Sequence, residues 1–228
     1  MPAKFRFPFA LVPIAQLASA VLALTVGGFL FQSGSAGLGA LAILWLMGGK
    51  GFRRADLWMA IAAFAFSIVG DYFLSNRGGD PLMFVYGIGF FFVAHLGYLG
   101  YALCHGRLDL KVTALFCTGY LIFFFTSLYG GISDPVLMWA ALAYLFVSCF
   151  SMGAAWGISP AGNSRNLYLM GIGLILFSDT LIAFREFMAY TAWDFLILPT
   201  YYLAHLLVTW AVWEGVRPGP TGERRQPV

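Results

Sequence analysis

Ser67-Ile68-Val69-Gly70-Asp71 places a carboxylate near the far end of an apolar run, Leu57 to Ser75, that is long enough to cross a bilayer. A second run repeats the arrangement: Leu176-Phe177-Ser178-Asp179 sits inside Leu167 to Met188. An ionisable group at membrane depth is costly, and where one occurs it marks a pathway or a reacting site by default. What surrounds these two acids decides the class of fold.

Of the 228 residues, 61% are hydrophobic and 10% charged, and the mean hydropathy is +0.82. A soluble domain carries roughly 25% charged residues, so the chain is read as an integral membrane protein. Its apolar residues fall into helix-length blocks and not into the ten-residue alternations of a barrel. Helices satisfy every backbone group within the segment, as lipid requires. The expectation is an all-α, polytopic membrane helical bundle forming one domain, residues 1–228.

Eight blocks are expected to span: Phe9–Phe31, Ala36–Gly48, Leu57–Ser75, Leu82–Cys104, Val112–Tyr129, Pro135–Ile158, Leu167–Met188 and Phe195–Trp213. Ala18-Ser19-Ala20 resembles a signal-peptide cleavage site, but the first block runs on to Phe31 and is read as a retained span. Between the third and fourth blocks, Asn76-Arg77-Gly78-Gly79-Asp80-Pro81 is a turn. Basic loops at Lys50, Arg53 and Arg54 and at Arg107 and Lys111 fall on the side of Lys4 and Arg6. Eleven of the 13 Lys and Arg lie on that side, and only Arg77 and Arg185 on the other. By the positive-inside rule this predicts a multi-pass cell-membrane protein with both termini, including the tail 215–228, in the cytoplasm.

The basic residues make no stripe that could track phosphates, so no nucleic-acid partner is expected. Cys104, Cys117 and Cys149 lack metal or redox spacing and read as small packing residues. No cofactor is expected and no metal-ligand motif is present.

The two halves of the chain, about 1–108 and 109–228, echo each other. Asp71 is followed by Ala94-His95-Leu96, and Asp179 by Ala204-His205-Leu206, at an offset of about half the chain. Four helices separate the copies, so the repeats would be parallel and related by an axis along the membrane normal. Such an axis would bring Asp71 and Asp179 to similar depth, as a facing pair.

Candidate catalytic residues are therefore Asp71 and Asp179. Candidates for binding or orienting a substrate are His95, Tyr98, Ser178, Tyr202 and His205. Asn76, Arg185 and Glu186, with Arg77, lie at the outer interface, where they anchor the bundle or form a polar collar for a zwitterionic lipid headgroup. Two carboxylates sharing a dry site cannot both ionise cheaply, so one serves as acid and the other as base. That device suits peptide hydrolysis, cleavage of acetal-like bonds and proton-coupled transport alike.

Four motifs in order add a resemblance: Gly70-Asp71-x-x-Leu74, Gly87-x-Gly89-x-x-x-x-Ala94-His95-x-x-Tyr98, Ser178-Asp179-x-x-Ile182-Ala183 and Tyr201-Tyr202-x-Ala204. Together they resemble the YhhN family, whose characterised members are lysoplasmalogenases. His205 departs from that pattern, which continues with Gln. The resemblance implies hydrolysis of the vinyl ether bond of a lysoplasmalogen, a lysophospholipid, to a fatty aldehyde and a glycerophospho-headgroup. A small proton-coupled transporter or lipid-binding protein is the alternative, with helices that break near the site, as Pro199 could cause. An intramembrane aspartyl protease fits less well, because Ile68 stands where its G-x-G-D motif has glycine.

Overall fold

The computed structural model describes residues 6–48 and 54–216. Lys4, Lys50, Arg53 and most of the expected tail lie outside the described residues. Within them the chain is all helical, as composition demanded: α1 (Arg6–Thr25), α2 (Phe29–Gln32), α3 (Gly34–Gly48), α4 (Ala55–Ser75), α5 (Pro81–Leu103), α6 (Leu110–Phe123), α7 (Pro135–Trp156), α8 (Asn163–Met188) and α9 (Asp194–Val216). A π-helical turn, Phe124–Leu128, and a short 3₁₀ turn, Tyr129–Gly131, prolong α6.

Six of these helices, α4 to α9 with the prolonged α6, are long and apolar enough to cross a membrane. Among the described residues the expected count of eight spans is not confirmed. Instead of running to Phe31, the first block breaks after Thr25, where Gly27 and Gly28 take φ of 75° and 92°, values open to glycine and strained for other residues. Helix α1 has 20 residues, Arg6–Thr25. Helix α3 has 15 residues, about 22 Å at 1.5 Å per residue, short of a hydrocarbon core of about 30 Å.

Three helices start on an aspartate. The carboxylates of Asp80, Asp109 and Asp134 accept backbone N–H groups of the first turns of α5, α6 and α7, and Pro81 and Pro135 occupy first-turn positions with no N–H to satisfy. Ala189 closes α8 in a left-handed conformation. The α5–α6 and α7–α8 loops are pinned together through Gly106 and Ile158, with Ser159 N–H on the His105 carbonyl at 3.0 Å. Buried Asp56 ties the same end by accepting from Arg54 and facing His105 Nε2 at 3.3 Å.

The most extensive helix contacts are α4 on α5 and α8 on α9. Small residues allow them. A Cβ on Gly97 would lie 2.8 Å from the Met59 carbonyl and the Ala63 nitrogen, so α4 and α5 touch backbone to backbone; Gly171 does the same for α8 against Val208 and Ala204. Tyr98, Phe64, Tyr168, Ile172 and Val208 fill the centre. Leu11, Ile14, Leu115, Ile122 and Phe195 stay exposed, an apolar outer surface that suits lipid.

Candidate active site

Helix α8 carries Asp179 at the point where α5, α7 and α8 converge. Tyr144, on α7, donates its hydroxyl to Asp179 Oδ2 at 2.7 Å, and His95 Nε2, on α5, lies 3.3 Å from the same oxygen. The Asp179 side chain keeps 15% of its surface exposed while that of His95 keeps 1%, so the acid opens to a cavity and the imidazole stands behind it. His95 Nδ1 has no partner among the described residues. With a proton on Nε2 the ring donates to the carboxylate. Ser151 Oγ holds the His95 carbonyl at 3.2 Å, and the ring meets Tyr144 edge-on at 5.1 Å.

The cavity has an empty volume, open side included, of about 760 Å³. Its walls come from α4 to α8 and are apolar except around Asp179, where Tyr120, Tyr144, Ser148 and Thr180 line it. Tyr120 and Thr180 bond each other at 2.9 Å. Phe124 and Leu128 of the π turn form part of the wall. This is an environment for a hydrocarbon chain with one acid set into it.

Asp71 occupies a different niche. Its Oδ2 accepts from the Tyr201 hydroxyl of α9 at 3.1 Å, and no hydrogen bond joins it to Asp179. Tyr98 lies within electrostatic reach of both carboxylates and makes a long 3.5 Å contact with Ser67 Oγ. Phe91 is the partition: it lines the cavity, meets Tyr201 edge-on at 5.9 Å and packs on Gly70, whose Cβ would lie 2.8 Å from the ring. Each acid therefore has a partner in the other half of the chain, His95 for Asp179 and Tyr201 for Asp71, and Asp179 has Tyr144 from its own half as well.

The remaining candidates separate. Ser178 donates to the Ile197 carbonyl at 3.0 Å, stapling α8 to α9, and Asn76 donates to the Tyr72 carbonyl at the end of its own helix. Glu186 accepts from Arg77 at 2.6 Å and from Arg185 at 2.9 Å, joining the α4–α5 turn to the end of α8. Arg77 also lies 5.4 Å over the Phe84 ring, which lines the cavity, so this collar borders the cavity rim. Tyr202 and His205 are buried beside Tyr201, away from Asp179.

Sequence reasoning missed Tyr144 because α7 has no Asp, Glu, His, Lys or Arg within it, and a single tyrosine in an apolar helix carries no spacing signal. Tyr201 stands out in the sequence only within the Tyr201-Tyr202-x-Ala204 motif, because its hydroxyl on Asp71 is a tertiary contact across 130 residues. Among the described residues no group of three or more His, Cys, Asp or Glu is placed to hold a metal ion. Burial, and secondarily Asp56, push the Cys104 thiol above its ordinary value.

The chain matches the model of the YhhN family over residues 10–212. No curated protein and no solved structure matches it.

Proposed function

For this chain, which belongs to the YhhN family, we propose hydrolysis of the vinyl ether bond of lysoplasmalogens, with Asp179 as the acid. The observation that carries the reading is a carboxyl group on the wall of an apolar cavity, with two fixed donors on one oxygen. Oδ2 is taken by Tyr144 and His95, so the proton to be delivered rides on Oδ1. It passes to the vinyl ether carbon, and the C=C pair forms the new C–H bond. The carboxylate left behind is stabilised by donors already in place, which lowers the cost of the transfer.

The resulting oxocarbenium ion is attacked by water. Asp71, the carboxylate held behind Phe91, is the base to which the proton of that water passes. The hemiacetal then collapses: its hydroxyl proton leaves, the C–O bond to glycerol breaks, and the alkoxide is protonated. Fatty aldehyde and glycerophospho-headgroup are released, and net transfer of one proton from Asp71 to Asp179 resets the pair. Tyr98, with its hydroxyl 3.5 Å from Ser67 Oγ and its ring 6.0 Å from that of His95, couples the two acids in this mechanism.

Arg185 and Glu186, which hold Arg77 in the collar, lie six and seven residues from Asp179 on α8, about 10 Å along the axis. That separation suits a headgroup at the interface with the ether bond below it. Orientation with both termini cytoplasmic, and parallel repeats pairing α4–α5 with α8–α9, belong to the same proposal. For a transporter, broken helices are expected near the site; α9 runs through Pro199 without a break.

Purified protein in nanodiscs should release free aldehyde from a lysoplasmalogen, and Asp179→Asn or Asp71→Asn should abolish it. Activity retained in both variants would remove the acid pair from the mechanism; no aldehyde from the parent protein would reject the hydrolase reading.

A further inference from the structure

Away from the Asp179 cavity, the seam between α1, α3 and α9 holds polar side chains whose hydrogen-bonding capacity the chain does not fill. His205 is fully buried, and neither ring nitrogen has a partner among the described residues. Its ring neighbours are Tyr201 at 4.2 Å and Phe64 at 5.3 Å. One turn further on, Thr209 donates to the His205 carbonyl at 2.7 Å. Gln16 Nε2 donates to Thr209 Oγ1 at 3.0 Å and to the Ser35 carbonyl at 2.9 Å, leaving Gln16 Oε1 buried and unpartnered. The Tyr202 hydroxyl is buried and unpartnered as well.

Gln16, Thr209 and the Phe64 ring that abuts His205 meet at Gly39. A Cβ on Gly39 would meet Thr209 Oγ1 at 2.6 Å, Gln16 Nε2 at 3.2 Å and Phe64 Cε2 at 3.2 Å, so the Gln16 amide and the ring that abuts His205 reach the same point. Tyr202, His205 and Thr209 follow one another at three- and four-residue spacing on one side of α9. In a membrane no bulk solvent reaches such groups, and a buried polar atom without a partner is strongly unfavourable. The set comprises an amide oxygen, a hydroxyl and an imidazole that donates at one nitrogen and accepts at the other, with no formal charge among them. Its complement is a small neutral molecule that both donates and accepts.

We infer that this seam is a binding site for ordered water, held by His205, Gln16 and Tyr202, and that it supplies the water on which Asp71 acts. Tyr201 makes the connection, with its ring on His205 and its hydroxyl on Asp71 Oδ2 at 3.1 Å; Tyr202 lies within reach of the same charge. Hydrolysis in a cavity that hydrocarbon fills needs water from a direction the lipid does not occupy, and the seam lies on the other side of Phe91. The supply role rests on the proposed hydrolysis, whereas the binding of water does not.

Hydroxyl radicals generated by synchrotron radiolysis label side chains next to bound water whatever their exposure. In nanodiscs, Tyr201, Tyr202 and His205 should be modified at rates close to that of Tyr72, which is 48% exposed, and far above that of Phe124 at 1%. His205→Leu should slow modification of Tyr201 and leave Tyr72 unchanged; Gln16→Leu serves if that variant does not insert. Seam residues modified no faster than Phe124 would overturn the water site. A labelled seam in a protein that releases no aldehyde would leave the site standing and overturn the hydrolase reading. A labelled seam with full aldehyde release after His205→Leu has slowed the labelling would overturn the supply role alone.

Discussion

Replacing Tyr144 by Phe tests how Asp179 works, because it removes one oxygen and leaves the ring that fills the cavity wall. The lost interaction is a 2.7 Å hydrogen bond to a carboxyl oxygen that is otherwise approached only by His95 at 3.3 Å. A hydrogen bond to a charged group contributes roughly 1.5–3 kcal/mol. It is at full strength only after Asp179 has given up its proton, so its loss falls on the transition state more than on bound substrate. At about 1.4 kcal/mol per factor of ten, kcat should fall roughly 10- to 150-fold while KM stays within a factor of about two. The assay is aldehyde release from a lysoplasmalogen in nanodiscs, coupled to an aldehyde dehydrogenase, with thermal unfolding measured in parallel. An unchanged kcat, or a loss of activity matched by a general loss of folded protein, would refute the idea that Tyr144 stabilises the Asp179 carboxylate.

Gly97→Ala forces a methyl group to 2.8 Å from backbone atoms of Met59 and Ala63, which cannot rotate away; it should destabilise by about 1–3 kcal/mol and lower the thermal midpoint, whereas Gly119→Ala, with no atom within 4 Å, should leave it unchanged. Arg77→Gln breaks the 2.6 Å pair with Glu186 at a partly exposed site, so stability should change by no more than about 1 kcal/mol. If the collar receives the headgroup, KM for a lysoplasmalogen should rise with kcat preserved, and a fall in kcat at constant KM would speak against it. Reporter domains fused after Val228 should be active only in the cytoplasm; activity on the outer side would reverse the proposed orientation.

Much of this molecule was legible in one dimension. Composition and the length of the apolar blocks pointed to helices, because a chain with 61% hydrophobic residues in lipid must satisfy its backbone and these blocks do not alternate as barrel strands do. Asp80-Pro81 and Asp134-Pro135 start helices by chemistry that involves only neighbouring residues, and Asp71 and Asp179 stood out because a charge in an apolar run has no local reason to be there. Helix length was less legible. Gly27 and Gly28 sit in a run of continuous hydropathy, and hydropathy does not register the positive φ that ends α1. Tertiary structure decided what each acid touches. The repeat suggested that Asp71 and Asp179 would face each other, but partners are set by which helix faces meet, and packing gave Asp179 to Tyr144 and His95 and Asp71 to Tyr201. A neutral tyrosine 35 residues away from its acid leaves no mark on charge, hydropathy or periodicity. The sequence determined the solvent and the presence of two costly acids; only the folded bundle could place one on the wall of a lipid-sized cavity and the other beside a polar seam, because both positions are properties of helices in contact.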